Sequence, residues 1–311
     1  MNADAPTSAL PETTNLQPLR RRPPLAGWEP YGFLLAPLGL MTVFFFIPVL
    51  MAVGMSLHDY GRNLNAPDFV GLANYGRLLS SPAFLSSLWN TTVFVLGIVP
   101  AMVTLPILMA LVANGTLRGI GLFRALIYLP VIVSMVVVGL TWKWLYADDG
   151  LVNYGLSLVG LPKVGWLVNP DIALYAVMAV IIWKGLAYYM MMYIAHLQSV
   201  SQDLYEAATV DGANLWQRHW HVTLPHLRPA MAMVALISTI GSLKVFTEIY
   251  VMTRGGPVGA TQTMVYYIFD QAFGNLDLGL ATAAGLILMA ILLVLSMIQM
   301  HWFGDREEAH S

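Results

Sequence analysis

Residues 198–228 read QSVSQDLYEAATVDGANLWQRHWHVTLPHLR, a polar island between two long apolar segments. Asp203 is suited to accept bonds from the free N–H groups of a helix that follows it, and its charge suits a positive helix N-terminus. Leu204, Ala207, Ala208 and Asp211 then fall at i, i+3, i+4 and i+7, a small and mostly apolar face with Glu206 beside it. Gly212 can take the left-handed conformation that ends such a helix. Asn214 with Gln217 has the pattern of a capping box restarting a second helix, which Pro225 is expected to stop. Two short helices outside a bilayer follow from this. Two readings of their purpose stay open: a small-residue face presented to a partner protein, or an amphipathic surface lying on lipid headgroups.

The composition settles what surrounds the island. Hydrophobic residues make up 58% of the chain and charged residues 10%, far from the roughly 25% charged content of soluble domains. The expected fold is therefore an all-α membrane protein. Six apolar stretches reach the roughly 20 residues needed to cross a hydrocarbon core: 31–57, 88–113, 125–146, 171–197, 229–252 and 278–303. Pro37, Pro48, Pro100, Pro106 and Pro130 lie within or near them and should kink them or mark their ends. The expected organisation is a polar tail over 1–30, a six-helix membrane domain over 31–303 and a short tail over 304–311. The first apolar stretch is too long for the roughly 7–15 residue core of a cleavable signal peptide.

Arg20, Arg21, Arg22, Arg118, Arg124, Arg218, Arg228 and Arg306 fall on one face of this topology, against Arg62, Arg77, Lys163 and Arg254 on the other. The richer face is cytoplasmic by the positive-inside rule, which puts both termini and residues 198–228 in the cytoplasm. Connections 57–87, 147–170 and 253–277 are then external.

Several functions are excluded or disfavoured. Cysteine is absent, so no disulfide, thiolate metal site or catalytic thiol is available. A net charge of −2 with scattered Lys and Arg gives no support for nucleic-acid binding. No P-loop sequence occurs, so any nucleotide that powers the protein sits on another chain. His219, His221 and His226 match no metal-ligand spacing, and neither a nucleophile elbow nor an HExxH run occurs. No metal, cofactor or catalytic residue is expected.

Charges at membrane depth cost about 2.5–3.5 kcal/mol each on insertion scales, so each should face protein or a wet cavity. Lys184 falls mid-way along the fourth stretch, with Gly185 beside it and Tyr188 one turn on. Lys244 and Glu248 lie one turn apart in the fifth, near Ser238 and Ser242. This set suits a hydroxyl-rich solute, whose groups exchange hydrogen bonds with Lys, Glu and Ser while its ring faces stack on Tyr. The competing reading is a buried ionic cluster that holds helices together. A third, a secondary transporter with Lys184 and Glu248 as an ion relay, meets no inverted repeat in the six stretches.

Glu206-Ala207-Ala208, Asp211-Gly212-Ala213 and Leu224-Pro225 together resemble the EAA-type loop of permease subunits in bacterial ATP-binding-cassette importers. Arg118-Gly119 with Arg124 and Leu129-Pro130, Trp183 with Tyr188, and Thr253-Arg254-Gly255-Gly256-Pro257 ahead of Thr261 are similar to the carbohydrate-uptake branch. The resemblance covers about residues 30–303 and is nearer the maltose-F-like subunit of such pairs. It implies a type I importer permease fold in the bacterial inner membrane. It also implies a second homologous permease, two ATPase subunits and an extracytoplasmic solute-binding protein as partners. Glu206, Ala207, Ala208, Asp211, Gly212 and Ala213 are then the segment coupled to an ATPase, with Glu206 its ionic contact. Gly185, Tyr188, Ser238 and Ser242 match positions lining the sugar site. Ser242, Lys244 and Val245 stand where the maltose permease carries asparagines, so the implied ligand is a carbohydrate or polyol but need not be maltose.

Overall fold

The computed structural model describes residues 29–60, 67–115 and 119–304. The tail over 1–28 with Arg20, Arg21 and Arg22, and also Arg62, Arg118 and Arg306, lie outside the described residues.

The described residues up to Leu50 fall in one compact unit and those from Met51 in a second. The chain begins with α1 (Glu29–Met41), which passes through a π-turn (Thr42–Phe46) into α2 (Ile47–Ser56). The π-turn has a cause in the sequence. Pro48 has no N–H and its ring crowds the carbonyl of Phe44, so the helix widens and the Ile47 N–H reaches back to the Thr42 carbonyl.

The second unit is built on α4 (Pro82–Ala113) and α8 (Pro170–Leu197). Both start on a side-chain cap with Pro in the first turn: Ser81 accepts the Phe84 N–H, and Asn169 accepts the Asp171 N–H. They cross at reciprocal glycine gaps. The Met178 methyl of α8 sits over Gly97, where an added Cβ would lie 2.0 Å from it, and the Met102 methyl of α4 sits over Gly185, 2.6 Å from such a Cβ. Phe94, Met102, Val177, Met190 and Tyr193 are buried along this contact.

The third apolar stretch is not one helix. It divides into α5 (Ile120–Ile132) and α6 (Met135–Leu145), bent by 96°. Pro130 lies inside α5, and Val133 and Ser134 are extended, so the helical ladder is interrupted just after Pro130, the end rather than the kink of the two outcomes the sequence allowed. At the start of α4's return, Arg124 donates from Nε to the Ala113 carbonyl at 3.0 Å, capping the end of α4.

The fifth stretch also breaks. α12 (Arg228–Leu243) ends at Lys244, and α13 (Thr247–Met252) begins after Phe246. Lys244 and Glu248 therefore do not share one helix, contrary to expectation. The Val245 carbonyl freed by the break accepts from Thr263 Oγ1 at 3.2 Å, which makes irregular backbone tolerable at that depth. α15 (Leu278–Gly304) is the last long apolar helix. Among the described residues, four helical stretches are long and apolar enough to span a membrane, and two bent pairs raise the number to six if each counts once.

The connections carry structure of their own. Residues 57–87 hold a two-residue antiparallel strand pair, β1 (His58–Asp59) with β2 (Asp68–Phe69), then α3 (Ala73–Ser80). Asn74 donates to the carbonyls of Ser56 and His58, and Arg77 pairs with Asp277 at 2.9 Å, which ties α3 to the start of α15. Residues 147–170 hold α7 (Leu151–Leu158), where buried Asn153 bonds Ala147, Asp148, Val164 and Trp166. Residues 253–277 hold α14 (Met264–Phe269), and this loop is anchored to α4 by Asn90, which donates to the carbonyls of Gly259 and Gln262.

Candidate functional site

A cavity of about 350 Å³ lies among α4, the α5–α6 bend, α8, α12 and α13. α8 contributes Ile181, Lys184, Gly185, Tyr188 and Tyr189, α12 contributes Ser238, Gly241 and Ser242, and the break after α12 contributes Val245. Ile181, Lys184, Gly185 and Tyr188 form an i, i+3, i+4, i+7 stripe on α8, and Ser238, Gly241 and Ser242 an i, i+3, i+4 stripe on α12. α4 adds Phe94, Ile98 and Met102, the bend adds Val131 and Met135, and α13 adds Glu248.

Of the seven residues expected to meet a solute, the structure brings six to this cavity: Lys184, Gly185, Tyr188, Ser238, Ser242 and Glu248. Lys244 does not line it. It is the exposed C-cap residue of α12. Glu248 enters from the first turn of α13, where a helix N-terminus favours an anion. Lys184 and Glu248 make no direct ion pair, although the two charges act on each other across the cavity. The Lys184 ammonium instead donates to the Val131 carbonyl at 3.3 Å. Ser238 donates back to the Val234 carbonyl at 2.7 Å, so its hydroxyl keeps only acceptor capacity toward the cavity. The lining is otherwise apolar: a few convergent polar groups on a greasy wall, the usual composition of a small-molecule site.

Gly241, Val131 and Met135 line the cavity unexpectedly, as do the apolar Phe94, Ile98, Met102 and Ile181 and the ring of Tyr189. Gly241 was recoverable from the Ser238 stripe, but the two bend residues had no signal, since they face the cavity only because the third stretch breaks.

The polar island forms a second site. α9 (Gln202–Val210) is capped by Ser201, whose hydroxyl accepts the Asp203 N–H at 3.2 Å. Ser201 thus takes the role expected of Asp203, which sits inside the first turn. The end of α9 follows the expectation closely. Gly212 has φ +76°, the Ala213 N–H bonds the Ala208 carbonyl, and the Gly212 N–H bonds the Thr209 carbonyl, a complete Schellman motif. The Asn214–Gln217 capping box is present, with bonds of 2.8 and 2.9 Å, and opens α10 (Leu215–Arg218).

Pro225 does not stop this second helix. The chain continues through a π-turn (His219–Thr223) into α11 (Leu224–His226), where Pro225 occupies the first turn, and the stop comes at Leu227 with a 63° bend into α12. Tyr205 Oη meets Thr223 Oγ1 at 3.0 Å and Arg218 donates to Thr209 Oγ1 at 3.1 Å, so α9 is strapped to the helix after it. Between them is a cleft of about 400 Å³ lined by Ala208, Asp211, Gly212, Ala213, Gln217, Arg218, His221 and Val222. Glu206 and Ala207 stand exposed outside the cleft, beside Val210 at 88% exposure and the stacked pair Trp216 and Trp220. Nδ1 of His221 and of His226 each meets the carbonyl four residues back.

The family model described as "Binding-protein-dependent transport system inner membrane component" matches residues 69–308. The chain is 34% identical over 301 residues to the lactose transport system permease protein LacF of Rhizobium radiobacter, covering 95% of this chain and 99% of that one. It is 34% identical over 270 residues to the trehalose/maltose transport system permease protein MalF of Thermococcus litoralis, covering 86% and 91%. Among solved structures, a chain of a bacterial alginate ABC transporter in complex with an alginate pentasaccharide-bound periplasmic protein superposes with a TM-score of 0.76 at 26% identity, covering 88% of this chain and 93% of that one.

Proposed function

The chain belongs to the binding-protein-dependent transport system inner membrane components, and from that premise we propose that its central cavity carries a saccharide or polyol-type solute through half of the translocation pathway of an ATP-driven importer. It is a translocation subunit rather than an enzyme. The observation that carries the solute class is the cavity wall: Tyr188, Ser242 and Glu248 present a ring, a hydroxyl and a carboxylate to a space whose remaining lining, apart from Lys184 and Ser238, is mostly apolar. Ring faces of a sugar stack on tyrosine while its hydroxyls bond the serine and the acid. Relatives named for lactose, trehalose and maltose transport, and a structural neighbour named for alginate, support the same class.

The partners proposed are a second permease, two ATPase subunits and an extracytoplasmic solute-binding protein. α9 with Glu206, Ala207, Ala208, Asp211, Gly212 and Ala213 is the segment an ATPase engages. Its small exposed face admits close approach, and the Schellman turn holds it at a fixed angle. Both termini and this segment are assigned to the cytoplasm on the Arg distribution. Nucleotide-driven movement of α9 reaches the cavity through α12, which follows the island after one 63° bend.

The test is solute uptake into membrane vesicles that contain the whole complex, screened with lactose, maltose, trehalose and short oligosaccharides. Ser242→Leu with Glu248→Leu should abolish uptake of whichever sugar is carried while the ATPase still co-purifies. Normal uptake by that double variant sinks the cavity assignment. Vanadate should stop uptake and a protonophore should not, and the reverse pattern would restore the ion-relay reading.

A further inference from the structure

Lys184 lies within unbroken α8, on the same stripe as Ile181, Gly185 and Tyr188. A cation at membrane depth requires a partner, and the acid on the same cavity wall, Glu248, makes no direct ion pair with it, although the two charges act on each other across the cavity. Its ammonium is given to the backbone of another helix, the Val131 carbonyl at 3.3 Å. Val131 is the penultimate residue of α5. The last four carbonyls of a helix have no donor within that helix, and the helix dipole places partial negative charge there. Lys184 thus answers both needs at the edge of the 96° break, and Val131 and Met135 line the cavity from the two sides of that break.

We infer that Lys184 is a positioning residue that fixes the broken third span against α8 and thereby sets the shape of the cavity; it is neither a solute contact nor an ion relay. Removing the ammonium leaves the Val131 carbonyl orphaned, so the α5–α6 wall loses its tie to the straight helix opposite. This role rests on the cavity being the solute path. The labelling below uses no solute, so either assignment can fail without the other.

The cysteine-free chain permits a direct reading. Met135→Cys in the full-length chain, assembled with its partners in native membranes and free of solute, is labelled with N-ethylmaleimide. Lys184→Met, close in length and uncharged, should raise the labelling rate about tenfold, the scale of one lost charge-assisted hydrogen bond. Lys184→Arg keeps a cationic donor and should return the rate close to that of the parent. An unchanged rate in Lys184→Met overturns the inference, because a solute contact has no reason to hold an empty cavity in shape. A raised rate that Lys184→Arg fails to restore also overturns it, since the effect is then side-chain packing. Should Lys184→Met not accumulate in the membrane, Lys184→Leu, which likewise lacks a donor, is read by the same criterion.

Discussion

The fourth and fifth spans face the same cavity with the same spacing, yet only one of them is a helix throughout. α8 runs unbroken from Pro170 to Leu197, and its stripe is braced by Met102 over Gly185. The fifth span stops at Leu243 and resumes at Thr247, and its stripe ends at Ser242; in the break, the Val245 carbonyl is held by Thr263 from the following loop. One wall is a single packed helix; the other is two packed helices whose joint is tied by a loop. That loop is itself anchored, through Asn90 to the Gly259 and Gln262 carbonyls and through the Met264 N–H to Thr91 Oγ1, on α4. Whatever displaces residues 253–263 therefore moves Glu248 while leaving Tyr188 in place.

The largest effect should come from breaking the packed wall. Gly97→Leu places a branched side chain where Met178 already sits. Overpacking of this kind costs about 1–3 kcal/mol, and the variant should show a lowered melting temperature in detergent and little uptake. Gly97→Ala should be far milder, because the clashing atom is the free end of a methionine. If Gly97→Leu melts like the parent, α4 and α8 do not pack as described.

The loop-held wall should respond less in stability and more in function. Thr263→Val keeps the shape and removes the donor to the buried Val245 carbonyl, leaving an unsatisfied group that costs about 1–3 kcal/mol. Uptake should fall by more than the change in melting accounts for, because the direction of α13 and of Glu248 depends on that bond. Equal loss in a matched-stability variant of α8 would erase the contrast between the walls.

Gly212→Val tests transmission rather than either wall. A Cβ at Gly212 meets nothing within 4 Å, so only the φ of +76° opposes the substitution, at about 1–2 kcal/mol for an L-residue held in that region. Membrane insertion should be normal and ATPase attachment or coupled hydrolysis weakened. Gly212→Asn, which tolerates left-handed φ, should keep most activity. Equal behaviour of the two would remove the Schellman turn from the coupling argument.

What the sequence disclosed follows the same division. Continuous helices announce themselves by length and apolarity, so α4, α8 and α15 were legible, as were Gly212 and the Asn214–Gln217 box, whose chemistry is local. The breaks after Ile132 and Leu243 were not legible. Pro130 allows a kink or an end without deciding between them, and the segment from Lys244 to Phe246 carries no Gly or Pro; its interruption depends on Thr263 and on packing that sequence distance hides. Lys244 was misplaced for that reason, because helical spacing was assumed across a gap. Asp203 was taken for the cap because its charge suits the N-terminus, whereas Ser201, two residues earlier, supplies the bond. Pro225 was read as a stop, although proline fits a first turn as well as it ends a helix.

The smallest effect is expected just before α8. Lys163 bonds Asp148 at 2.9 Å and Asp149 at 2.6 Å, all three exposed. The hydrogen bond from Lys163 holds the Asp149 carboxyl below its usual range, and the same bond holds the Lys163 ammonium above its own. For Asp149, a lowered folded value means any stabilisation is present above the ordinary carboxylate range and fades as pH falls through the folded value. Exposed pairs of this kind are screened by water and salt. α8 does not depend on them, because Asn169 caps it directly. Lys163→Gln should therefore leave the melting temperature and uptake unchanged at neutral pH, and the acid limb of the stability profile should move little. Asn169→Ala, six residues on, should lower stability by about 1 kcal/mol. If Lys163→Gln proves the more damaging of the two, the straight wall is not self-supporting and α8 relies on its preceding loop as the fifth span relies on the one that follows it.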